Sequence, residues 1–317
     1  MPRATCDVAY DVGMNGIVIL LVASMSLAGT QQPADQTKEN LTQAQKLMQS
    51  GDVAGAVTLL QATVKAAPQA PEAHLALGRA LDLNGDHKTA RRHLEQAISL
   101  ATDTNRNQAL SAMGVSWAFE SKPDEAARYY QRIFDAQTQA NDRGGAAGTA
   151  NALGRIYLES GNLDKAEQWY RTGHETAKQI PEVPENQIAL WEMRWHNAQG
   201  RIAARRKNAS VAAEHATQAK SALDKSGNKN QQAFHPYLLG YLAFYASHYK
   251  QAIDELLQGD QQDPFILGLI AQAHEKLGDR AKAREYYEKV MALPVHSINT
   301  AFARPKARAF LARSANR

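Results

Sequence analysis

The sequence predicts an all-α fold: a right-handed α-solenoid of about seven antiparallel helix-turn-helix repeats, closed by a C-terminal capping helix. Three observations predict it. A small residue followed twelve positions later by Ala recurs seven times in the 317 residues. Gly-Asp or Gly-Asn turns fall between the members of several of these pairs. The composition, 44% apolar and 21% charged, has few runs of β-branched residues. Self-similarity at a period of about 20–50 residues marks a repeat architecture, and such arrays present extended concave surfaces.

The copies run Ala44/Ala56/Leu60, Gly78/Ala90/Leu94, Gly114/Ala126/Tyr130, Gly154/Ala166/Tyr170, Gly200/Ala212/Ala216, Gly240/Ala252/Leu256 and Ala271/Ala283/Tyr287. The third member stands four positions after the Ala and is usually large. Two helices packed antiparallel come closest at the small residue and the Ala, where a bulky side chain would force them apart. The large residue, one turn on, is expected to fill the space between one hairpin and the next. The turns Ser50-Gly51-Asp52, Asn84-Gly85-Asp86, Ser160-Gly161-Asn162 and Leu277-Gly278-Asp279 supply a left-handed glycine and a capping residue for the second helix. Pro181-Glu182-Val183-Pro184 breaks the array between copies four and five, and Ser226 to Asn230 is a polar turn before copy six.

With these residues in place the chain resembles the tetratricopeptide repeat family. Leu77-Gly78, Leu153-Gly154 and Leu239-Gly240 match its Leu-Gly step, Trp117 and Tyr157 its aromatic three residues on, and Pro68 and Pro264 its repeat-ending proline. The resemblance covers about residues 37–297 and is weakest in copy five, where Gln199 and Ala216 stand in for Leu and the large residue. It implies that the first helix of each repeat lines the concave face.

The ends are read separately. Gly16 to Ala28 is an apolar run ending Ser26-Leu27-Ala28, too short to span a bilayer comfortably. It fits a signal peptide, residues 1–28, giving a periplasmic or secreted protein. Asp7 and Asp11 do not suit a basic leader, so a start at Met14, an uncleaved membrane anchor and a cytoplasmic protein stay open. Residues 29–37 read as a disordered lead-in and 38–297 as the solenoid. Residues 298–317 read as a basic capping helix and tail. The only cysteine, Cys6, lies in the leader, so thiol chemistry is excluded from the remainder. Net charge is +4, and Arg304, Lys306, Arg308, Arg313 and Arg317 concentrate the excess at the C-terminus, where it reads as a solvated outer face. Because Pro305 belongs in the first turn of a helix, that helix is expected to start near Ala303, with Ala303, Ala307, Phe310 and Leu311 as its packing face and 296–299 as a loop.

No catalytic motif is present. His174-Glu175 lacks a second His four residues after the first, and no phosphate loop or nucleophile elbow appears. No cofactor, no metal and no nucleic acid are expected, and the protein reads as a non-enzyme. Residues three before and one after each small residue share a helix face. They give Arg79 in copy two, Asn151 with Arg155, Asn197 with Arg201, and Tyr237 with Tyr241; one turn on come Arg205 and Tyr245. The repeated Asn-x-x-x-Arg pairs a main-chain hydrogen-bonding amide with a carboxylate-holding guanidinium. Family members that capture acidic or C-terminal peptide ends use groove Asn with Lys or Arg similarly; here two helices match and the Lys is missing. The competing reading is that Arg155 and Arg201 pair with acidic neighbours. Trp191 and Trp195 are expected to pack on copy four. Two functions follow: a scaffold holding a partner protein or peptide, with an acidic segment, in its concave groove, or an accessory subunit using its outer faces and basic tail on an assembly or membrane.

Overall fold

The computed structural model describes residues 28–315. The leader therefore lies, but for Ala28, outside the described residues. The described chain forms fifteen α-helices, one short 3-10 turn at Lys229–Gln231 and no strand. Seven hairpins follow in order. They are α1 (Ala28–Gln49) with α2 (Val53–Ala66), α3 (Pro71–Asn84) with α4 (His87–Leu100), and α5 (Asp103–Phe119) with α6 (Pro123–Gln139). Next come α7 (Arg143–Ser160) with α8 (Leu163–Ala177), α9 (Glu185–Arg205) with α10 (Ala209–Ser226), α11 (Phe234–Tyr245) with α12 (Tyr249–Leu256), and α13 (Pro264–Lys276) with α14 (Arg280–Ala292). A final helix, α15, spans Ile298–Ala315. Each helix packs on the next, and odd helices also stack together, α1 on α3, α3 on α5, α9 on α11 and α11 on α13. The odd helices thereby form the inner layer.

The hairpins close at the expected glycines. A Cβ added at Gly78, Gly114, Gly154 or Gly240 would lie 2.6, 2.7, 2.8 or 2.5 Å from Leu94, Tyr130, Tyr170 or Leu256. The large residue thus lies on the glycine of its own hairpin and not only between hairpins. Leu94 does both, since it also packs with Ala112 and Met113 of α5. Gly200 is looser: its nearest neighbour would be Leu238 of the following hairpin at 3.4 Å. Ala216, standing where the other copies carry bulk, leaves that space to Leu238, which is fully buried.

Gly51, Gly85, Gly161 and Gly278 adopt φ of 89°, 101°, 92° and 81°. Asp52, Asp86, Asn162 and Asp279 accept hydrogen bonds from the amides of Gly55, Thr89, Lys165 and Lys282. The left-handed turn and side-chain cap are therefore as the sequence indicates. Pro184 caps α9, and Gly227 ends α10.

Two expectations at the ends are corrected. In place of a disordered lead-in at 29–37, α1 starts at Ala28. Thr37 is buried, and Asn40 donates to Thr63 Oγ1 of α2 at 3.1 Å, which ties this helix to its hairpin partner. At the other end α15 starts at Ile298 and not near Ala303, so Pro305 lies inside it. Ser297 caps the helix through its Oγ, which accepts from Thr300 N at 3.2 Å. An interior proline costs about 3 kcal/mol; burial of Thr300, Ala301, Ala303, Ala307 and Phe310 offsets it. Ala303, Ala307 and Phe310 pack on α13 and α14 as expected, and Leu311 is partly buried beside them.

α15 also reaches past the seventh hairpin. It packs on α5 as well as on α13 and α14. Just before it, His296 Nε2 bonds Asp82 of α3 at 2.8 Å, and Arg308 Nη2 donates to Leu83 O at 3.5 Å. The C-terminal segment therefore lies across the inner wall, joining the last hairpin to the second and third.

Gly154→Ala is expected to destabilise the protein by about 1–3 kcal/mol through overpacking against Tyr170. Gly200→Ala, with ordinary contact distance around its new methyl, is expected to be neutral or to gain up to about 1 kcal/mol of helix propensity. Chemical denaturation of both variants measures the difference.

Candidate binding groove

The expected groove residues converge on one carboxylate. Glu159, near the end of α7, has a side chain only 4% exposed. Arg155 Nε of the same helix lies 3.4 Å from it, Arg201 Nη1 4.0 Å and Arg205 Nη1 3.5 Å, the last two from α9. Tyr241 Oη of α11 donates to Glu159 at 3.4 Å. Arg201 donates to the Tyr170 and Tyr237 hydroxyls at 3.2 and 3.5 Å, and Arg205 to the Tyr245 hydroxyl at 3.0 Å. The Arg155 guanidinium lies 4.4 Å from the centre of the Phe265 ring. Burial pushes the Tyr237 and Tyr245 phenols above their ordinary value and Tyr241 well above it, so all are neutral; Tyr237 and Tyr245 accept from the arginines and Tyr241 donates to Glu159. Asp263, at the start of α13, is raised by burial against the pull of Arg155.

The structure thus gathers Arg155, Arg201, Arg205, Tyr237, Tyr241 and Tyr245 at one place on the inner wall, with Arg201, Tyr237 and Tyr241 buried and the others half-buried. Arg201 and Tyr241 are almost wholly covered. The pairing of Arg155 and Arg201 with an acidic neighbour, the competing reading of Asn-x-x-x-Arg, is present in this state. The two asparagines stand apart from the network. Asn197 is buried, and only its main-chain carbonyl receives Arg201 Nε. Asn151 Oδ1 faces Gly173 of α8. Arg79 lies on α3, where its charge acts on His296.

α15 lies across this wall, so the C-terminal cations do not form a wholly solvated outer face. Arg304 is 5% exposed, with Nη2 donating to Met291 O. Lys306 donates to Gln272 Oε1 at 2.8 Å. Burial, then the neighbouring Arg308, lowers Arg304 to about 10. Burial also lowers Lys306; Glu159 opposes that shift and Arg205 adds to it.

A second polar cluster escaped the sequence reading. Asp82, fully buried, accepts from His87 Nδ1 at 2.9 Å, Ser116 Oγ at 2.9 Å and His296 Nε2 at 2.8 Å. Phe119 stacks on His87 and touches His296. A charged residue between Leu81 and Leu83 was the available signal. The serine bonds the carboxylate and not a histidine, so no nucleophile–base pair forms. The cluster pins the C-terminal segment to α3. Two histidine pairs, His74–His93 and His196–His215, each bring Nδ1 atoms to 3.1 Å. Among the described residues no group of three or more His, Cys, Asp or Glu is arranged for a metal ion. Trp195 packs on copy four as expected, stacking on His174 at 4.7 Å.

Hairpins stacked through their first helices, with aromatic and basic side chains gathered along them, define a helical-repeat protein. Family profiles described as tetratricopeptide repeat match residues 41–105, 106–179 and 266–294. The chain belongs to the tetratricopeptide repeat family. The unmatched stretch includes copy five. No curated protein matches the chain. Among solved structures, the apo form of RapI aligns at TM-score 0.55 and 11% identity, over 88% of this chain and 99% of that one. A tetratricopeptide repeat protein from Parabacteroides merdae aligns at 0.51 and 13%, over 86% and 99%. A chain of the APC/C hetero-tetramer Cut9-Hcn1 aligns at 0.43 and 18%, and this chain spans only 48% of it. At these identities the likeness concerns the fold.

Glu159→Gln removes a buried carboxylate that faces one buried and two half-buried guanidiniums, and is expected to cost about 3 kcal/mol in denaturant unfolding. A pH dependence follows from His296. Burial holds its imidazole below the ordinary 6.5 against the pull of Asp82. The unfolded chain then binds the proton first, so stability present above 6.5 is lost as pH falls through the folded value. His93, His196 and His235 are lowered by burial too and share this slope. Asp82, held below 3.8 by its hydrogen-bond donors despite burial, contributes only at lower pH. Unfolding free energies at pH 7.5 and 5 are expected to differ less in His296→Gln than in wild type.

Proposed function

We propose that this protein is a non-catalytic scaffold that holds a partner protein or peptide against its inner wall, outside the cytoplasm. Membership of the tetratricopeptide repeat family supports a protein-binding role. One structural observation supports a site for it: basic and aromatic side chains from α7, α9, α11 and α13 meet on the inner wall, with three arginines near Glu159 and Asp263. That surplus of cations favours a partner with an acidic segment. The leader-like run before Ala28 supports export, as a periplasmic or secreted protein or one held by its N-terminus. The alternative, an accessory subunit docking through a basic tail, is weaker, because Arg304, Lys306 and Arg308 bond groups within the fold.

Photo-cross-linking in the native compartment tests this. Benzoylphenylalanine replacing the half-buried Tyr245 on the inner wall is expected to give a discrete adduct. The same group replacing the exposed Glu288 on α14 is expected to give none. Adducts from position 288 alone would place the binding surface elsewhere.

A further inference from the structure

We propose that the inner wall beneath α15 is a docking surface for an acidic helix of a partner, and that α15 occupies it until that helix displaces it. The inference rests on the concave-face reading above and adds the partner's form and the state of the unoccupied wall.

The present occupant shows what fits. α15 approaches α13 closely at a small pair, where a Cβ on Gly268 would lie 3.1 Å from the Ala303 Cβ, while Phe302 packs on the aromatic cluster beside it. The surface thus accepts a helix at close backbone range. Its charge does not suit the helix it holds. The wall already carries Arg155, Arg201 and Arg205 against Glu159 and Asp263. α15 adds three more cations, Arg304 buried and Lys306 and Arg308 exposed, each bonded to a neutral acceptor: Arg304 to Met291 O, Lys306 to Gln272 Oε1 and Arg308 to Leu83 O. Arg304, 5% exposed, leaves Nε and Nη1 without partners. A buried cation without a carboxylate is costly, and the neighbouring Arg308 adds to that cost at Arg304. Carboxylates at the positions of Arg304 and Lys306 would reverse the sign.

The attachment is also divided. Ala303, Ala307 and Phe310 hold α15 to α13 and α14 through apolar contact. Toward α3 and the start of α13 the polar contacts of His296 with Asp82 and Asn299 with Asp263 are joined by apolar ones, Ile298 and Ala301 in the core and Phe302 against the cluster of Tyr237, Tyr241 and Phe265. Residues 294–297 form no helix before Ile298, leaving an irregular joint about which α15 can leave.

The test uses the full chain with Cys6→Ser, Gly268→Cys and Ala303→Cys, so that oxidation fixes α15 on the wall and reduction frees it. The probe is a fluorescent peptide of residues 296–315 carrying Arg304→Glu, Lys306→Glu and Arg308→Glu. It is expected to bind the reduced chain at least about ten-fold more tightly than the oxidised chain, since a tethered helix competes at high effective concentration. The unsubstituted peptide is expected to bind the reduced chain about ten-fold more weakly than the acidic one. In case the cysteine pair disturbs folding, His296→Gln with Asn299→Ala loosens α15 in the native chain and is expected to raise acidic-peptide affinity about ten-fold. Equal affinity for oxidised and reduced chains, or no gain on loosening, overturns the inference. If such binding is still lost in Arg205→Gln, the concave-face reading survives without the displaceable helix. Binding that ignores both the cross-link and Arg205→Gln counts against both.

Discussion

The close approach of two backbones inside each hairpin governs the rest of this structure. At Gly78, Gly114, Gly154 and Gly240 a ring or isobutyl group lies where a side chain would otherwise be. That contact sets how near the helices of a hairpin come, and repetition of one spacing gives each hairpin a similar relation to the next. The odd helices consequently share one side of the array. Only because they do can Glu159 of α7 meet arginines of α9 and a tyrosine of α11. The looser contact at Gly200 shows the rule from the other side. With Ala216 in place of a large residue, the packing there is completed by Leu238 from the following hairpin.

Electrostatics and packing then pull in different directions on the inner wall. The Glu159 cluster keeps its arginines charged by surrounding them with phenol hydroxyls and one carboxylate. Such a network is stable only while complete, because any buried partner removed leaves the others unsatisfied. α15 is held by apolar contact along its length and by the Asp82 and Asp263 hydrogen bonds, while its buried Arg304 bonds a main-chain carbonyl and no carboxylate. The wall is thus filled by a helix matched to it in shape and poorly matched in charge.

What the sequence discloses is the local part. The twelve-residue spacing, the left-handed glycines and the Asp or Asn caps all act over a few residues, and each appears where the pattern puts it. The inner-wall positions were legible for the same reason, since residues four apart on a helix share a face. Their surroundings were not. Whether Arg201 faces solvent or Tyr170 and Tyr237 depends on helices 31 and 36 residues away. The path of α15 depends on His296 meeting Asp82 across 214 residues. Pro305 pointed to the wrong helix start because tertiary burial on both sides of it outweighs a missing backbone hydrogen bond. The polar run at 29–37 misled for a related reason: the helix it opens is anchored from just beyond it, by Asn40 to Thr63 of the next helix.

The position of α15 can be tested most directly by a distance measurement in solution. Spin labels at the exposed Asn84, ending α3, and the exposed Ala312 of α15, in a Cys6→Ser background, suit pulsed electron resonance. Arg308, one turn before Ala312, touches the end of α3, so a single narrow, short-distance peak is predicted. A broad or long-range distribution would show the C-terminal helix away from the second hairpin and contradict the account of an inner wall closed by its own chain.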